Sequence, residues 1–125
     1  MKKIITWIKP TGEQPHIGNV FGAMLPFKNL CEWNDAALFI PDLHALNTVK
    51  DGAILKRNSF EAALSFLSVL WKDTKVIMFR QSDIVLIPKL NWLLNNFTPY
   101  SLMLRAHSFK DARAKWIDLN MGTFN

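Results

Sequence analysis

Apolar positions along this chain fall into short solid runs separated by longer stretches with helical spacing. Lys3-Ile4-Ile5-Thr6-Trp7-Ile8 is β-branched and aromatic and is stopped by Pro10, which predicts a first, largely buried strand over 3–8. The runs at 36–41 and 75–79 predict a second and a third strand. Between 18 and 33, Phe21, Leu25, Leu30 and Trp33 follow mixed helical spacings around Pro26, so a helix there starts late, bends or breaks. The clearest helix is 52–71, where Ile54, Phe60, Ala63, Leu64, Leu67, Leu70 and Trp71 make one broad stripe expected to be core. A further helix is predicted over 88–97, with Pro88 in its first turn, where a missing N–H costs little. A short helix over 99–107 follows. Residues 42–51 read as a polar connection and 108–125 as irregular.

Strands that alternate with helices predict an α/β fold, a parallel sheet with helices on both faces. Ligands of such sheets sit beyond the carboxyl ends of the strands, where strand order reverses. The exit loops 9–19, 42–48 and 80–83 are therefore expected to converge on one site.

Composition narrows the class. The 125 residues suit one domain, and 50% apolar with 20% charged residues suits a packed core. Cys31 has no second cysteine to pair with, which excludes a disulfide scaffold and fits a reducing compartment. No apolar run approaches the roughly 18 residues of a membrane span. The stretch from Ile4 to Ile8 is too short for a secretory core, so no membrane segment is expected. A net charge of +5 is compatible with phosphate-bearing partners.

The distinctive chemistry lies in the first exit loop, Lys9-Pro10-Thr11-Gly12-Glu13-Gln14-Pro15-His16-Ile17-Gly18-Asn19. It leads into a helix, whose free N–H groups and dipole favour phosphate. Gly18 allows close approach to the backbone, His16 and Asn19 offer donors, and Lys9 adds positive charge. The pattern is neither G-x-G-x-x-G nor a Walker A loop. Taken singly, His16 is a loop histidine, His44 a turn residue and His107 structural. The three have no metal-ligand spacing. Asp42 and Asp83 suit turn or cap duty better than acid–base pairing. Cys31 suits packing, and Lys50, Lys56 and Arg57 a solvated face.

Pro10-Thr11-Gly12 followed by His16-Ile17-Gly18-Asn19 resembles the first signature (the HIGH motif) of the class I aminoacyl-tRNA synthetases. Gly22-Ala23 and the P-[ST]-G lead-in are similar to the tryptophanyl branch of that family. Four further segments resemble it in order. They are Phe39-Ile40-Pro41-Asp42-Leu43-His44-Ala45-Leu46, Phe79-Arg80-Gln81-Ser82-Asp83, Leu104-Arg105 with Phe109-Lys110, and Gly122-Thr123-Phe124-Asn125. Trp7 departs from the pattern. It stands where the family usually has glycine, beside the amino-acid pocket.

The resemblance implies a partial Rossmann-like sheet of the HUP type, with residues 1–125 as the N-terminal part of the catalytic nucleotide-binding domain. The second half-sheet and the anticodon-binding domain lie outside it, and the first strand is left as an open edge. It implies a cytoplasmic tryptophan–tRNA ligase that activates tryptophan with ATP and transfers it to tRNA. Mg²⁺ would arrive with ATP rather than at a dedicated protein site, and full-length relatives would be homodimers. It implies ATP binding at Lys9, Pro10, Thr11, Gly18 and Asn19, and charge stabilisation at His16 and Asn19. Amino-acid binding would fall at Ile5, Trp7, His44 and Gln81. The alternatives are a non-catalytic nucleotide- or protein-binding module of the same descent, and the tyrosyl branch. An unrelated response-regulator-like protein fits poorly, because the first strand ends in Lys9-Pro10 rather than acidic residues.

Overall fold

A computed structural model describes residues 1–12, 14–70 and 75–115. The chain divides into two compact units, Met1–Asp83 and Ile84–Asn125.

The first unit is built on three parallel strands, β1 (Lys3–Trp7), β2 (Asp35–Ile40) and β3 (Val76–Arg80). Their order in the sheet, β1-β2-β3, is their order in the chain. Ile4 pairs with Ala36 and Ala36 with Val76; two residues on, Thr6 pairs with Leu38 and Leu38 with Met78. Strand order does not reverse among the described residues, and the three parallel strands share one carboxyl edge.

From β1 the chain enters α1 (Ile17–Asn19), a π-helical stretch Val20–Met24, and α2 (Leu25–Cys31). In the π-helical stretch the Leu25 N–H reaches back five residues to the Val20 carbonyl. Pro26 lies in the first turn of α2. A proline ring clashes with the carbonyl four residues back, and a widened turn just before it relieves that clash. The helical path runs through Pro26 without a break. After β2 come a single turn, α3 (Asp42–Ala45), and then α4 (Gly52–Leu70). Asp51 starts α4 by accepting from the Ala53 and Ile54 N–H groups at 2.8 and 3.0 Å.

The core joins Met24, Phe27 and Cys31 to Ala36 and Leu38 of the sheet and to Phe66 and Leu70 of α4. Phe27 and Phe66 meet edge to face. Both connections therefore pack on the same face, the outcome of right-handed crossovers between strands that advance in one direction. Within this unit the helical cover is on that face. The opposite face carries Ile5 and Ile77, 64% and 71% exposed, and the stacked rings of Phe39 and Phe79. β1 is thus an edge strand with alternating exposure, not a largely buried one.

One expected core stripe is corrected. In α4 the buried face is Asn58, Ser59, Ala62, Phe66 and Leu70, whereas Ile54, Phe60, Leu64 and Leu67 are exposed. In the first helical segment Met24, Phe27 and Cys31 are buried, and Phe21, Leu30 and Trp33 are exposed. Both helices are apolar on more than one side. The side with smaller residues, Ala62 and Cys31 among them, is the one that approaches the sheet. Burial also pushes the Cys31 thiol up from its ordinary pKa, as expected of a packed cysteine.

The second unit contains α5 (Leu86–Phe97), α6 (Tyr100–Met103) and α7 (His107–Ala114). α7 replaces part of the segment expected to be irregular. It is a polar helix, continued at its end by the Asp111–Lys115 ion pair, and such helices carry no apolar periodicity to read. Trp71 and Gly122-Thr123-Phe124-Asn125 lie outside the described residues. No described helix is long and apolar enough to cross a membrane.

Candidate functional site

All three strands are parallel, so their exits share one edge of the sheet. The β1 exit bounds a cleft of about 370 Å³. Of the residues expected to act, Trp7, Lys9, Pro10, Thr11, His16 and Asn19 line it. Pro10 borders the cleft but is itself fully buried. The Thr11 N–H donates to the Lys9 carbonyl at 2.9 Å, closing a three-residue turn around Pro10.

His16 sits just before α1 in extended conformation, with φ −81° and ψ 168°. Its backbone N–H donates to Asn19 Oδ1 at 3.0 Å, and its carbonyl accepts from the Asn19 N–H at 2.8 Å. Of the two ends of a side-chain amide only the oxygen accepts, so this bond fixes which end of the Asn19 amide faces the backbone. The amide nitrogen is left as a donor. Gly18 has a specific reason to lack a side chain: a Cβ there would lie 3.0 Å from His16 Cε1 and Nδ1. The expected close approach at Gly18 is thus made by the imidazole of its own signature. Among its described residues the cleft is lined by one cation and neutral donors, without a carboxylate, a set suited to phosphate oxygens.

The β2 and β3 exits form a second cluster. The His44 backbone N–H donates to Gln81 Oε1 at 3.1 Å. Buried Asp42 accepts from the Ser82 N–H at 3.0 Å, from the Ser82 hydroxyl, and from the Leu43 N–H at 3.0 Å. Arg80 pairs with Asp83 at 2.6 Å on the surface, which holds the Asp83 carboxyl below the usual carboxylate range. Asp42 and Asp83 therefore perform the turn and capping work expected of them and do not face each other as an acid–base pair. Burial and then the charge of Lys9 push the His44 imidazole below its ordinary value. Through that field the first cluster is felt in the second. Ile5 lies outside the cleft, on the open face of β1 two residues before Trp7.

Sequence reasoning missed Asn58, which is buried in α4, lines the cleft and donates from Nδ2 to the Pro10 carbonyl at 3.5 Å. Asn58-Ser59 directly follow Lys56-Arg57 and read as one polar run with them, so no distinct signal marked Asn58. It also missed Asp42 and Ser82 as a tie between two exits.

A parallel sheet covered within its own unit by helices on one face, and a glycine-bearing loop entering a helix at its carboxyl edge, defines an α/β protein of Rossmann-like type. The family described as tRNA synthetases class I (W and Y) matches residues 2–125, and the chain belongs to it. A tryptophan–tRNA ligase of Rhodopirellula baltica is 41% identical over 122 residues, 98% of this chain and 38% of that protein. The tryptophanyl-tRNA synthetase of Campylobacter jejuni complexed with ADP and tryptophan superposes with a TM-score of 0.86 at 39% identity, over 99% of this chain and 38% of that one. The enzyme of Mycoplasma pneumoniae superposes at 0.82 with 27% identity, over 99% of this chain and 36% of that one. The chain thus spans well under half the length of the relatives it matches.

Proposed function

We propose that this chain is the N-terminal part of the catalytic domain of a tryptophan–tRNA ligase and supplies one wall of its ATP and tryptophan site. One observation carries the reading: Lys9, Thr11, His16 and Asn19 line a single cleft at the opening of a helix. Relatives named for tryptophan, one of them solved with ADP and tryptophan, support the choice of substrates. In this reading the Lys9–Thr11 turn, Gly18 and Asn19 receive ATP, and His16 and Asn19 stabilise charge at its α-phosphate. Trp7, His44, Gln81 and Ile5 border the amino acid. Catalysis is positioning with electrostatic stabilisation, and no side-chain nucleophile is needed. Tryptophan carboxylate attacks the α-phosphate, pyrophosphate leaves, and the acyl group passes to tRNA. Mg²⁺ comes with the ATP phosphates. The remaining part of such an enzyme supplies the second half-sheet and the anticodon-binding domain, acting as a cytoplasmic homodimer.

Calorimetric titration of the 125-residue chain with ATP tests this. Weak binding is expected, reduced about tenfold or more by His16→Ala, the loss of one or two charge-assisted bonds. Absence of ATP binding by the wild type overturns the reading. Tryptophan-dependent exchange of pyrophosphate into ATP by this chain alone would overturn the assignment of a single wall.

A further inference from the structure

We propose that Asn58 is a positioning residue that holds the β1 exit loop in the shape that receives nucleotide. The proposal rests on the nucleotide-site reading above and adds a residue to it. Asn58 is 6% exposed, on the face of α4 that otherwise packs Ala62, Phe66 and Leu70. An amide in such a place is costly unless both its ends are engaged. One end is: Nδ2 donates to the Pro10 carbonyl. The other end, Oδ1, has no partner among the described residues. Yet no described side-chain oxygen or nitrogen is both fully buried and unpaired. Oδ1 therefore opens onto solvent, and the solvent that Asn58 lines is the cleft. The amide spans from the loop backbone to the ligand space.

The loop it holds has few other ties. Pro10 has no N–H to donate, and the bond from Thr11 to Lys9 closes a turn only within the loop. The Asn58 contact connects that turn to a helix anchored in the core. At 3.5 Å it lies at the long end of hydrogen-bond lengths. Lys9 and Thr11 flank the held carbonyl, so a loop released at Pro10 misplaces both.

Asn58→Leu keeps the size and removes both polar ends; Asn58→Asp keeps the shape and an acceptor but, ionised, has no N–H. Two readouts are taken on each 125-residue variant. The first, without ligand, is amide hydrogen exchange at Thr11 in the loop and at Leu38 in the central strand. The second is the ATP dissociation constant. Thr11 exchange is expected to speed up about five- to tenfold, the loss of one neutral hydrogen bond, with Leu38 unchanged and ATP weakened by a similar factor. Equal acceleration at Thr11 and Leu38 would mean general destabilisation and would overturn the proposal, as would unchanged Thr11 exchange in both variants. If Asn58→Leu does not fold, Asn58→Asp alone decides by the same criteria. If the wild type binds no ATP but Thr11 still responds, the nucleotide reading fails and the positioning role stands.

Discussion

The exit of β1 and the paired exits of β2 and β3 lie on the same edge of the sheet and are built in opposite ways. The second and third are locked to each other by Asp42, Ser82, His44 and Gln81, with a buried carboxylate at the centre. The first holds the exposed donors of the cleft and, among the described residues, is hydrogen-bonded outward by one long amide contact. A binding edge needs both kinds of construction. Groups that fix the frame are worth burying, and groups that must follow a ligand are better left on a loop with few fixed bonds.

The largest effect is expected where the frame is broken. Asp42→Ala leaves the Ser82 and Leu43 donors without their acceptor, and urea unfolding should show a loss of about 2 kcal/mol with an unchanged slope. A loss no greater than that of a surface alanine would mean that the two exits are not locked.

A smaller effect ties the two regions together. The His44 imidazole is held low by burial and by Lys9, so the unfolded chain binds its proton more readily than the folded one. That stability is fully present above the unfolded value near 6.5 and falls as pH drops from there through the depressed folded value. Lys9→Met should move the His44 ring-proton titration upward, towards the ordinary value, while leaving it below. An unmoved titration would separate the two clusters electrostatically.

The smallest effect is expected at Arg80→Met. The Asp83 carboxyl should rise back towards 3.8 in a carbonyl NMR titration. The exposed pair should leave the unfolding midpoint unchanged. A clear drop in the midpoint would place Arg80 in the frame with Asp42.

Much of this architecture was legible in the sequence, for identifiable reasons. Strands show as solid β-branched runs, and their bounds fell within a residue of those observed. The site loop shows because Gly18, His16 and Asn19 are unusual neighbours whose spacing matters. The buried faces were not legible, because α4 offers the large Phe60 and Leu64 on one side and the modest Ala62 on another. Periodicity reports that a helix is apolar, not which apolar side has the shape to approach a sheet. The ties made by Asn58 and by Asp42 with Ser82 were illegible too. They join residues 48 and 40 positions apart, and single-sequence patterns do not carry pairings of that range.

The strand order has a consequence for synthesis. Since each of the three described strands lies beside its immediate predecessor, β2 and then β3 emerge from the ribosome beside a neighbour already made. The three-stranded layer can grow in the direction of translation, each added crossover packing onto the one before.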